Sequence, residues 1–152
     1  MGGFYEKLFL YWAQDAAAEI FPTLQDAVER HIVEYSVTEF FVGHYGDFDH
    51  LAARAVIAAR KRHPQIKLSL VIPYHPAERP VELPQGFNNT FYPPGMEKVP
   101  RKFSIARANR YMVDHVDYLI AYAWHPASNA RNLVEYAQKK GVPTVNLGES
   151  RI

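Results

Sequence analysis

The segment Val37-Thr-Glu-Phe-Phe-Val-Gly43-His44-Tyr-Gly46-Asp47-Phe-Asp49, running on into Leu51-Ala-Ala-Arg-Ala-Val-Ile57, leaves few folds open to this chain. A short apolar run, a turn holding two glycines, and an alanine-rich helical pattern headed by acidic residues spell strand, turn and helix. Where a strand feeds a helix through glycines, free backbone N–H groups converge and the helix dipole favours negative charge. Glycine also lets a ligand come close to the backbone. The same spacing suits a plain connection in which Asp47 or Asp49 caps the helix, and it is not the dinucleotide fingerprint. Beside that plain reading, the segment offers a ligand floor shaped by Gly43, Gly46, Asp47 and Asp49, with His44 as a ligand contact, and it does not name the ligand.

Strand and helix patterns alternate along the rest of the chain. Strands are expected at 7–12, 39–42, 67–72, 118–122 and 144–147, and helices at 22–35, 49–62, 102–115 and 129–140. Leu24, Val28, His31 and Ile32 recur at helical spacing, as do Ala52, Ala55, Val56 and Ala59. Lys139 and Lys140, then Gly141 and Pro143, mark a helix stop. Alternation of this kind predicts a mostly parallel sheet of five strands or slightly more, covered by helices on both faces. Ligands of such sheets sit beyond the carboxyl ends of the strands, where the strand order reverses. The loops at 13–16, 43–49 and 124–129 are expected to meet there.

Bulk properties remove several classes of function. A chain of 152 residues suits one domain, large enough to bury roughly 70% of its unfolded surface. The net charge of +1 predicts no nucleic-acid partner. Cysteine is absent, which excludes disulfides and thiolate chemistry. No apolar run is long enough for a membrane span, and the start lacks a signal-peptide core, so a cytoplasmic protein with no membrane partner is expected. Seven histidines are scattered without a helical HxxxH pair, so no metal site and no cofactor are predicted.

Two further stretches invite a role. The proline-rich segment 74–100 reads as irregular, and its aromatics Tyr74, Phe87, Phe91 and Tyr92, with Phe103 just beyond, predict a packed cover over the site. Tyr92 is the candidate for stacking on a base. In the third helix Ile105, Met112, Val113 and Val116 form an apolar stripe on which Asn109 falls, so its amide needs a partner, loop or ligand. Arg107, Arg110 and Asp114 share another face, suited to an exposed ion pair or to a guanidinium on a phosphate.

Three blocks in this order carry a resemblance. They are Gly43-x-x-Gly46-Asp-Phe-Asp49-x-Leu51-Ala52, Tyr92-Pro-Pro-x-x-Glu97-Lys98-Val99-Pro100, and Asn109-x-Tyr111-Met112-Val113-Asp114-x-x-Asp117. Together they resemble the SLOG superfamily, Rossmann-like domains related to DprA and to the LOG phosphoribohydrolases, and most of all its small single-domain bacterial branch akin to YpsA. The resemblance implies a Rossmann-like α/β/α domain that binds a nucleotide-type small molecule, commonly as a homodimer. LOG relatives hydrolyse the N-glycosidic bond of nucleoside 5′-monophosphates, and DprA relatives bind single strands. By the same resemblance Glu135 stands where the LOG glutamate stands, and Ser128 and Asn129 line the far loop in place of its leading glycines. Arg131 and Asn132 replace its Gly-Thr pair, and Ala108 replaces its arginine, with Arg107 next door. Catalytic roles would thus fall to Glu135 and Arg107, while the replaced glycines point to binding without efficient turnover, in a sensor or accessory protein.

Overall fold

The computed structural model describes residues 6–12, 18–43, 49–123 and 129–148. Its strands are β1 (Glu6–Trp12), β2 (Val37–Gly43), β3 (Lys67–Val71), β4 (Asn89–Phe91), β5 (Tyr118–Tyr122) and β6 (Thr144–Asn146). Its helices are α1 (Phe21–Tyr35), α2 (Asp49–Arg60), α3 (Ser104–His115) and α4 (Asn129–Lys139), with short 3₁₀ turns at Ala18–Ile20, Met96–Lys98 and Arg101–Phe103. All six strands pair in parallel in the order β4-β3-β2-β1-β5-β6. This is a Rossmann-like three-layer α/β/α fold. No helix among the described residues is long and apolar enough to cross a membrane.

Two cores flank the sheet because successive strand residues point to opposite faces. Leu8, Leu10, Phe40, Val42, Leu68, Ile120 and Tyr122 meet Leu24, Val28, Ala52 and Val56 of α1 and α2. Phe9, Phe41, Val71, Leu119 and Ala121 meet Met112, Val113, Val134 and Ala137 of α3 and α4. The inner strands are buried from both sides, which is why they read as unbroken apolar runs. The stripes expected in α1 and α2 are buried as expected, and Gly141 ends α4 at φ 82°.

The stretch 74–100 departs from its irregular expectation. Asn89–Phe91 joins the sheet as its edge strand, paired with Ser69–Val71, and Ile72 N–H donates to the Phe91 carbonyl at 2.9 Å. Asn88 sets the register: its N–H donates to Leu68 O at 2.8 Å, and its Oδ1 accepts from Leu68 N–H at 2.9 Å. Arg60 Nη1 donates to the same Oδ1 at 2.7 Å, tying the strand to the end of α2. Phe91 then packs edge-on against Phe41 and at a tilt against Tyr111 of α3. Phe87, Phe91 and Tyr92 do pack on the cores, but Phe103 is 52% exposed and is no part of a cover.

Candidate functional site

The strand order reverses between β1 and β5, because the chain builds outward from β1 through β2, β3 and β4 and then returns to its other side. Every helix must run back against the strands it joins, so all four helix N-termini lie at the carboxyl end of the sheet. A crevice at this reversal, rimmed by positive helix ends, is the place such a fold offers an anionic ligand.

Gly43 closes β2 at this rim, paired with Val71 of β3. His44, Gly46, Asp47 and Ser128 lie outside the described residues, as do the loops 13–17 and 124–128 that would flank the crevice. Of Asp49 and Asn129 only the backbone is described; each opens a helix, α2 and α4 respectively, at the rim. Tyr92 follows β4 directly and is half-buried at the same end. Its ring meets His75 edge-on at 5.3 Å, and burial, then Glu97 and Glu78, raises its hydroxyl pKa. Adjacent strands lie about 4.8 Å apart, so Tyr92 stands roughly 15 Å across the rim from β1.

The third helix buries Met112, Val113 and Val116 as expected, but its first turns present other residues to the sheet. Ser104, Ala108, Met112 and Val113 face the sheet, whereas Ile105 and Asn109 are only half-buried at its border. Small Ser and Ala side chains carry the buried face there and gave little apolar signal. Arg107 is exposed on the outer stripe with Phe103 and Arg110. Arg110 does not pair with Asp114; its guanidinium lies over the Tyr136 ring at 4.2 Å. Asp114 instead accepts the Tyr136 hydroxyl at 2.6 Å and meets Lys140 at 3.5 Å. Glu135 lies on the outer side of α4, its side chain 57% exposed, 3.5 Å from Arg131 one turn earlier.

The buried amide that needs satisfying is Asn146, at the carboxyl end of β6. Its Oδ1 accepts the Ala123 N–H at 2.9 Å and the Gly148 N–H at 3.0 Å, and its Nδ2 donates to Ala123 O at 2.9 Å. The side chain thus imitates one more rung of the β5–β6 ladder. It fixes the backbone from which the loop after β5 departs. An Asn two residues before a glycine, at a strand end, was the signal for it in the sequence.

A cleft of about 360 Å³ lies at the opposite, amino end of the sheet, between Asp114, Asp117 and Lys140. Three-layer parallel sheets bind at the other end, and Asp114 and Lys140 are already paired with each other. Among the described residues no three His, Asp or Glu side chains gather as metal ligands would.

No protein-family model matches the chain, and no curated protein matches it either.

Proposed function

We propose that this protein binds a nucleotide or nucleotide-derived small molecule across the carboxyl rim of its sheet, as a sensor or accessory protein of the SLOG type. The reversal of strand order between β1 and β5, with four helix N-termini at the same end, is the observation that carries this reading. Gly43 stands at the floor, Tyr92 offers a ring to a base, and Asn146 fixes the backbone of Ala123 at the end of β5.

Binding rather than turnover follows from Glu135. Its carboxylate is mostly exposed, on the outer side of α4 and paired with Arg131. A carboxylate so placed is poorly sited to stabilise a ribosyl cation in a water-excluded crevice.

Melting the protein against a panel of nucleotides tests the reading. A true ligand at 100 times its dissociation constant stabilises the fold by about 2.7 kcal/mol. No shift with any nucleotide defeats it. Free base released from a nucleoside monophosphate, and lost in Glu135→Gln, moves the protein to the hydrolases instead.

A further inference from the structure

The carboxyl rim carries a feature that the crevice does not account for. Tyr74, three residues beyond the end of β3, has two guanidinium groups over its ring: Arg79 at 4.7 Å and Arg101 at 4.9 Å from the ring centre. Arg79 comes from the turn after Tyr74, and Arg101 from the 3₁₀ turn that leads into α3. Two segments remote in sequence thus bring like charges against one ring. Their neutralisation is incomplete. Glu78 meets Arg101 only at 4.0 Å, and among the described residues Arg79 is not ion-paired. Lys98 and Lys102, both exposed, flank Arg101 in the chain, while Glu78 and Glu97 set carboxylates near Tyr92.

We propose that Tyr74, Arg79 and Arg101 form an anion site for a phosphoryl group at the β3–β4 side of the rim. Guanidinium groups meet phosphate oxygens through paired N–H donors, and contact with an aromatic ring leaves those donors free. A dianionic group within reach of both offsets their like charge. The site adjoins Tyr92 through His75, whose ring meets Tyr92 at 5.3 Å. In the nucleotide reading, a base on Tyr92 and a phosphoryl group at Arg79 and Arg101 belong to one ligand. That assignment to a nucleotide rests on the function proposed above; affinity for a bare phosphoryl anion does not.

Isothermal titration of the full chain with inorganic pyrophosphate, with the four common nucleoside monophosphates and with their nucleosides separates the two. Wild type should bind pyrophosphate with an affinity that falls as salt rises. It should bind its preferred monophosphate at least tenfold tighter than the matching nucleoside. In Arg79→Gln/Arg101→Gln both advantages should vanish, while Lys139→Gln at the far end of α4 changes neither. Both arginines are exposed, and each single variant, checked for an unaltered melting temperature, gives the same reading if the double variant folds poorly. Arginine-dependent binding of pyrophosphate with no monophosphate bound upholds the anion site and removes the nucleotide. A monophosphate bound equally by wild type and the double variant overturns the site and leaves the nucleotide standing. Absence of pyrophosphate binding in wild type overturns the site outright.

Discussion

The ring of His31 stands edge-on to that of Tyr118, with centroids 5.5 Å apart, and closes the amino end of the sheet beneath α1. Tyr35 completes the group by stacking on Tyr118 at 5.1 Å. His31 is 2% exposed, and its Nδ1 donates to the Ala27 carbonyl at 2.7 Å. Burial depresses its pKa, opposed by the Ala27 bond and, among nearby charges, lowered further by Arg30 and raised by Glu34. The unfolded chain takes up this proton near 6.5, the ordinary value for histidine, whereas the folded protein takes it up only at lower pH. Stability from His31 is therefore complete above that value and is lost as pH falls below it. The melting temperature should drop from pH 7 to pH 5, and His31→Phe should flatten the drop. An equal drop in both proteins would show that other groups govern it.

Asn146→Ala removes three hydrogen bonds and leaves both backbone groups of the buried Ala123 unmatched. A loss of about 1–3 kcal/mol is expected from denaturant midpoints. Asn146→Asp should cost as much or more, because a carboxylate cannot donate to the Ala123 carbonyl. A cost near zero for both would mean that the β5–β6 ladder alone holds the strand end.

Gly86→Ala should destabilise by about 1–3 kcal/mol for two separate reasons. Its φ of +94° is strained for any side chain, and a Cβ there would stand 2.5 Å from Ile57 Cδ1. Adding Ile57→Val removes that methyl group and should recover the steric share alone. Full recovery would show that the backbone conformation costs nothing; no recovery would show that Ile57 already yields.

Thr38 sits where the β1–β2 register slips: Glu6 pairs with Val37 and Lys7 with Glu39, so Thr38 is skipped. Among the described residues its Oγ1 is a buried side-chain atom with no hydrogen-bond partner. Thr38→Val keeps the shape and removes the unsatisfied hydroxyl, so stability should rise by about 1 kcal/mol. A fall in the urea midpoint would reveal a partner for the hydroxyl.

Much of the fold was legible because parallel strands buried on both faces leave long apolar runs, and α1 and α2 announce their stripes through Leu24, Val28, Ala52 and Val56. The edge strand was not legible. Asn89, Thr90 and Phe91 have no apolar period, and their place in the sheet depends on Asn88 side-chain bonds that only tertiary contact creates. The border position of Asn109 was not legible, because Ser104 and Ala108, small and weakly apolar, occupy the buried face of α3 that the spacing assigns to Ile105. At the site, the rim was foreseen from the alternation of elements. The pairing of Arg79 with Arg101 over Tyr74 was not, since nothing in the spacing of residues 74, 79 and 101 brings them together.

Because alternate residues of β1, β2 and β5 belong to different cores, neither helical layer can detach without stripping cover from strands that the other layer also needs. Melting followed by aromatic fluorescence and by far-ultraviolet dichroism should coincide in a single step. A ligand gripping one side of the molecule would then protect the amides of both.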